Sequence, residues 1–494
     1  MSVIENLNNS IFVKILNNSL ESIQKKLLFL SENSFFIQNI DKIITFLAFL
    51  VLVTSTFLDS EKLGLIIIGA FALLTIKYIT KPNSKIGIDH FDFLVILYIL
   101  FFCLATLFSS WFIDSIHGLI KMFTYFFSYI VFKDSIKENP NLRLLYLILL
   151  AILCTSQSLI GIHQQVFGVE ALAGWQDMNN IDPTQAMTRV FGTLKPLNPN
   201  LMAGYLIATM PAILGCAFYN FKKTDSCTNG GNPISPVVQE SLTDVSKCMA
   251  TGSWRAFAKL DGIQFNLIAI LALFATFLTI IATGCRGSYV SIAVQMLAFI
   301  AISGHIIWHD FKDKTYLRKI WLGLILTGFL GVLGLIFTQK ALQARILSIF
   351  AQRDDSSNSF RFNVYQSSIK MFKDNYLCGI GVGNWAFREV YGLYMRTGFD
   401  ALGAYSVPLE IAVETGVFGL INFLAFISTA IISTGKKICS NISYNEKIIL
   451  SITLISIIGM MMHGIVDTVW FRPQIQFVFW LMIAILSTSK NEDN

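Results

Sequence analysis

The chain has 494 residues, of which 54% are hydrophobic and only 14% charged, with a mean hydropathy of +0.61. Soluble domains usually carry about 25% charge, so this composition excludes a soluble globular enzyme and indicates an all-α, polytopic integral membrane protein. The formal net charge of +6 is no sign of nucleic-acid binding, because the basic residues lie in short loops between apolar runs.

Residues 1–42 read as a weakly amphipathic cytoplasmic leader, since their apolar stretches are too short for a signal-peptide core followed by a cleavage site. A first transmembrane bundle, 43–220, then holds spans at 43–58, 63–79, 92–110, 116–132, 144–166 and 197–220, the fourth of them holding Lys121. A polar insertion rich in Gly, Pro and Ser follows at 221–262. Spans at 263–283, 286–308 and 318–338 flank the Arg286 motif, and a long loop, 339–405, precedes the last three spans at 406–434, 448–467 and 472–488 within 406–494. The total is about twelve spans by the criterion of roughly twenty residues each.

Lys and Arg are concentrated in the short segments on the N-terminal side. Both termini and 221–262 are therefore expected in the cytoplasm, and 339–405 outside, in the plasma (inner) membrane.

Within the long loop, the pattern from Ser359 to Lys373 is helical, with Tyr365, Ile369 and Phe372 on one stripe and Arg361 one turn earlier. A glycine-rich turn follows, Cys378-Gly-Ile-Gly-Val-Gly-Asn-Trp385. It lacks the strand–loop–helix setting and the Lys-Ser/Thr of a phosphate-binding loop. Its glycines are expected to admit a close backbone approach or a left-handed turn.

Arg286 lies in the turn Thr283-Gly-Cys-Arg-Gly-Ser-Tyr289 between two apolar runs. A guanidinium deep in hydrocarbon costs about 2.5 kcal/mol or more. It must face a polar cavity or an anion, or snorkel from a helix end. The same end of the spans collects Arg189, Asn198, Asn200, Glu410 and Glu414 one turn apart, and His463 and Asp467 four residues apart. An external cavity lined by these groups would suit a substrate carrying phosphate or carboxylate, which planar guanidiniums grip in pairs of hydrogen bonds. Glu414 or the His463/Asp467 pair could accept a proton there, while His463 could equally be an interhelical hydrogen bonder. The eight cysteines show no CxxC or metal spacing, and no HExxH, Walker or GxSxG motif occurs, so neither metal nor cofactor is expected.

Four motifs occur in a telling order: Arg189-Val-Phe-Gly-Thr-Leu with Asn198-Pro-Asn-Leu-Met-Ala-Gly204, then Thr283-Gly-Cys-Arg-Gly-Ser, then Phe360-Arg-Phe with Gly379-Ile-Gly-Val-Gly-Asn-Trp385, then Leu409-Glu-Ile-Ala-Val-Glu-Thr-Gly416. Their arrangement resembles the O-antigen ligase/polymerase superfamily. The stretch from Ala401 to Gly416 resembles the cyanobacterial IctB-type branch, named for a proposed role in bicarbonate accumulation. The ligase resemblance implies metal-independent, inverting transfer of a polyprenyl-diphosphate-linked glycan, with Arg189, Arg286 and Arg361 on the diphosphate and Glu414 as the glutamate of the Glu-x-Gly pattern. The ligases' His-Asn pair is replaced by Tyr405 and Ser406, and a tyrosine is a poor base at neutral pH. The leading expectation is therefore bicarbonate accumulation through an arginine-lined cavity. The alternative is glycan transfer with Tyr405, Glu414 or His463 near the acceptor, and a non-catalytic scaffold comes third. Membrane lipid and either a small anion or a lipid-linked glycan are the expected partners; oligomeric state is not legible.

Overall fold

The computed structural model describes residues 11–82, 84–168, 189–219, 262–350 and 356–489. Most of the 221–262 insertion, the first part of the 167–196 loop and the extreme ends of the chain lie outside the described residues. Among the described residues every regular element is a helix.

Three helices precede the bundle: α1 (Ile11–Lys26), α2 (Leu28–Asn33) and α3 (Phe35–Gln38). Twelve long helices then take the places of the twelve expected spans. They are α4 (Ile40–Thr54), α5 (Ser60–Thr80), α6 (His90–Leu107), α7 (Phe112–Glu138), α8 (Leu142–Phe167), α9 (Pro199–Phe218), α10 (Gly262–Ala282), α11 (Arg286–His309), α12 (Thr315–Thr338), then, after the long loop, α16 (Val407–Ile438), α17 (Tyr444–Gly464) and α18 (Pro473–Ser487). Nine of them are long and apolar enough to cross a membrane. The loop itself folds into α13 (Lys340–Leu347), α14 (Ser356–Asp374) and α15 (Asn384–Tyr391).

Burial explains the uneven span lengths. Every residue from Pro473 to Leu486 in α18 is buried, so this short, apolar helix is enclosed by its neighbours and has no lipid-facing stripe to maintain. At the other extreme α12 buries no residue at all and lies on the periphery. Lys121 lies within α7, which runs for 27 residues through it.

The loop is a small cap with its own apolar core, in which Val364, Met371, Ile380, Phe387, Tyr391 and Val413 pack together. The inward face of α14 is Asn363, Val364, Ser367, Ser368 and Met371. The stripe expected from the sequence was rotated from this: Ile369 is 44% exposed. Small serines, which no hydrophobic pattern marks, allow α14 to approach the cap core closely.

The glycine-rich turn seats the cap on the bundle. In α16, Gly416 has φ 72° and ψ −171°, which breaks the helix. Val413 O would ordinarily accept from Val417 N–H; here Val417 N–H donates to Tyr376 O at 2.8 Å. The freed carbonyls of Val413 and Glu414 accept instead from Ile380 N–H (2.9 Å) and Gly381 N–H (3.2 Å). Ser109 Oγ donates to Ile380 O at 2.6 Å and Val382 N–H donates to Ser115 Oγ at 2.7 Å, tying the turn to the start of α7. Gly379, Gly381 and Gly383 all have positive φ. A Cβ on Gly379 would stand 2.3 Å from Glu414 O, so both expected uses of glycine occur in one turn. Irregular backbone of this kind at membrane depth is tolerated where protein covers it or a cavity adjoins it.

The opposite end of the bundle is held by buried ion pairs. Lys77 Nζ is 2.9 Å from Asp41, 2.6 Å from Asp134 and 2.7 Å from Glu138. Lys133 joins Asp89 and Asp92, Arg143 joins Glu446, and Lys447 joins Asp310. Asp41, Asp134 and Glu138 have the spacing of a cation site, and the Lys77 ammonium lies among them. Lys77→Met should lower folding stability by about 3–5 kcal/mol, because it leaves buried Asp134 without its counter-charge. Thermal unfolding in detergent, read against an exposed control such as Lys436→Met, checks this.

Candidate functional site

At the cap end, residues from four parts of the chain form one hydrogen-bonded string. Arg189 Nε donates to Thr283 O at 2.7 Å and its Nη2 donates to Asn200 Oδ1 at 2.7 Å. Asn200 Nδ2 in turn donates to Asp467 Oδ2 at 2.9 Å, and Arg361 Nη2 pairs with that same oxygen at 3.3 Å. Asp467 Oδ1 accepts from Val469 N–H at 3.1 Å. Asp467 is only 4% exposed, and its place three residues beyond the end of α17 presses one carboxylate between two guanidinium-bearing segments. Burial, with the positive charge of nearby Arg345 and Arg286, lowers the proton affinity of Arg189.

Arg286, the first residue of α11, donates through Nη1 to Ser348 O (3.2 Å) and Ser348 Oγ (3.3 Å). Arg345 Nε donates to Gly284 O at 3.1 Å. Gly284 has φ 62°, and a Cβ there would stand 3.3 Å from Arg189 Nε. The motif Thr283-Gly-Cys-Arg thus serves by its backbone as much as by its arginine. Arg345 was missed from sequence: it is one basic residue among several in a long loop, and only the fold of α13 brings it here.

Two sequence expectations need correction. His463 and Asp467 do not share a helical face, because α17 ends at Gly464 and Asp467 lies in the following turn. The His463 ring meets the Cys285 thiol instead, with Nε2 3.5 Å from Sγ. Asn198 is the N-cap of α9, its side chain accepting from Asn200 N–H at 2.8 Å. That bond orders the helix start that presents Asn200.

Tyr405 stands against Arg361, whose guanidinium carbon lies 6.0 Å from the ring centroid. Its backbone is left-handed at φ 52°, a conformation that costs a non-glycine residue of order 1 kcal/mol or more and tends to accompany function. The Tyr405 carbonyl accepts from Tyr365 Oη at 3.2 Å. Burial and the charge of Asp467 push the Tyr405 phenol above its ordinary range, so it remains a proton donor at neutral pH.

Glu410 and Glu414 do share a face of α16, each 3% exposed, but they line a separate recess. Glu410 Oε2 accepts from Ala404 N–H at 3.0 Å and Glu414 Oε1 accepts from Gly383 N–H at 2.8 Å. The cavity, about 150 Å³, is bounded by His117, Lys121, Gly383, Trp385, Glu410, Glu414 and Phe471 among others. Ala404 joins the two halves, bonding Glu410 and preceding Tyr405 in the chain. Lys121 was read from sequence only as a blemish in a span.

Residues 271–424 match the O-antigen ligase family. The matched stretch, roughly a third of the chain, includes Arg286, Arg361, the glycine turn, Tyr405 and the Glu414-Thr-Gly416 break. Arg189, Asn200, His463 and Asp467 lie outside it and reach the site through the fold. The IctB-type branch and its bicarbonate role gain no support from the match, which carries the O-antigen ligase description alone. No curated protein matches the chain.

Proposed function

We propose that the protein is an O-antigen ligase-like glycan transferase, which takes a glycan from a polyprenyl diphosphate at the outer face of the plasma membrane without a metal. The observation that carries this reading is Arg361. It spends one N–H on buried Asp467, and its other donors make no hydrogen bond among the described residues. Arg189 reaches the same Asp467 through Asn200, and Arg286 is held by Ser348. A diphosphate offers the paired acceptor oxygens that such a fork binds, and negative charge grows on the leaving diphosphate in the transition state.

In this mechanism the arginines hold the leaving diphosphate and Tyr405 donates a hydrogen bond to a phosphate or ring oxygen beside Arg361. Asp467 keeps Arg361 and, through Asn200, Arg189 in register. Tyr405 is too weak an acid to serve as base, so its ligase-type histidine role passes elsewhere.

The direct test is transfer by the purified protein from a lipid-linked donor extracted from the source cells. Product should form in the presence of a chelator. A deletion strain should accumulate the lipid-linked precursor; unchanged surface glycan with no accumulated precursor would refute the reading. Tyr405→Phe should slow transfer about tenfold, by the same factor from pH 6 to pH 9. The phenol keeps its proton throughout that range, since its pKa lies above the ordinary value of about 10. A loss confined to the upper part of the range would make Tyr405 the base.

A further inference from the structure

The carboxylate recess is a built site that the arginine string does not use. Its four ionisable side chains come from two helices that meet only in the folded bundle: His117 and Lys121 from α7, Glu410 and Glu414 from α16. Each glutamate gives one oxygen to a backbone N–H. Glu410 Oε1 and Glu414 Oε2 make no hydrogen bond among the described residues, and the Lys121 ammonium, facing the same cavity, forms neither a hydrogen bond nor an ion pair there. Two acceptors and one donor therefore stand around a cavity of about 150 Å³ without closing on one another.

This chemistry selects against charged ligands. An anion would meet two carboxylates, and a cation would meet Lys121. A neutral molecule with several hydroxyls satisfies all three, because a hydroxyl both donates and accepts. At the rim, the Trp385 side chain is 69% exposed. An indole free of cover, next to hydroxyl-binding groups, provides a flat apolar surface for the carbon face of a sugar ring. Gly403 allows the close approach that holds Glu410 in place, since a Cβ there would stand 2.7 Å from Glu410 Oε2.

We propose that this recess, bounded by Lys121, Glu410, Glu414 and Trp385, is the subsite for a saccharide acceptor, and that Glu410 receives the acceptor's proton. The inference rests on the glycan-transfer reading given above. The acceptor hydroxyl oxygen attacks the anomeric carbon of the donor and forms the new C–O bond. The bond from that carbon to the diphosphate oxygen breaks, and its electron pair leaves on the diphosphate held by the arginines. The acceptor proton passes to Glu410. Tyr405, adjoining Arg361 on one side and Ala404 with its Glu410 contact on the other, stands at the junction where donor and acceptor meet. This arrangement supplies a base that the replacement of the ligase-type histidine by Tyr405 would otherwise remove.

The test is saturation-transfer NMR on the full-length protein in lipid nanodiscs. The probes are free neutral hexoses, N-acetylhexosamines and their short oligomers. At least one should bind, and Trp385→Ala and Lys121→Met should each weaken it tenfold or more, whereas Arg361→Lys leaves it unchanged. Trp385 is exposed, so its replacement does not threaten the fold. No saccharide bound by the wild type, or binding that survives both recess variants, overturns the proposal. A parallel titration with a short-chain polyprenyl diphosphate separates the two readings. Diphosphate binding that depends on Arg361, without sugar binding, removes only the acceptor site. No diphosphate binding removes the transfer reading itself.

Discussion

Arg361→Lys is expected to lower turnover by about 10²- to 10³-fold while leaving the thermal midpoint nearly unchanged. The magnitude is that of losing one well-placed donor to a developing negative charge. Lysine preserves the charge and can still meet Asp467, to which Arg361 gives a single 3.3 Å contact. It cannot at the same time offer the parallel N–H groups that a diphosphate needs. Arg361 is half-buried and lies on the cap helix α14, where the apolar contacts that hold the cap come from Val364 and Met371, so the fold does not depend on it. Asp467→Asn gives the complementary result. It keeps the shape but removes the charge that holds Arg361, and it should raise KM for the lipid donor more than it lowers kcat. Steady-state kinetics with the lipid-linked donor, beside thermal unfolding of each variant, checks both. A lysine variant with full turnover would reduce Arg361 to an anchor for the cap.

The second large effect is structural. Gly379→Ala should destabilise the protein by about 3 kcal/mol and loosen the cap from the bundle. Gly379 has φ 74°, and a Cβ would stand 2.3 Å from Glu414 O and 2.6 Å from Thr415 N. The new methyl meets backbone on a broken helix, not the end of a flexible side chain, so one strand of the junction must move. Left-handed strain and this overlap each contribute of order 1–3 kcal/mol. Movement would break the bonds from Ile380 and Gly381 to the open carbonyls of Val413 and Glu414. Gly331→Ala is the control, because Gly331 in α12 has no atom within 4 Å of the position a Cβ would take. There alanine should be neutral or mildly stabilising. Thermal unfolding and protease nicking between α13 and α15 would show the difference. Equal midpoints for the two variants would mean that the glycine turn does not bear on cap docking.

Much of the architecture was legible in the chain. Hydropathy located twelve helices because a membrane span must be long, apolar and internally hydrogen-bonded. The loop 339–405 could be recognised as a folded element from its helical pattern and its glycine turn. Patterning was less informative for α14, whose inward face includes Asn363, Ser367 and Ser368. Close packing against a cap selects small residues there, and a hydrophobic stripe is then the wrong signal. Spacing also misled at His463 and Asp467, because helical periodicity was carried past the end of α17.

The sequence by itself determined the membrane class, the helix order and the arginine-bearing motifs, since each depends on composition or on residues close together along the chain. Only the tertiary structure decided that Asp467, from after α17, joins Arg189, Asn200 and Arg361, and that Glu410 and Glu414 face Lys121 in a recess apart from the arginines. Those partners lie between 106 and 293 residues apart for Arg361–Asp467 and Lys121–Glu414 respectively. Contacts at such separations arise from which helices pack together and where α16 breaks at Gly416. Both are set by side-chain volume and backbone hydrogen bonding across the bundle, to which hydropathy along the chain is blind.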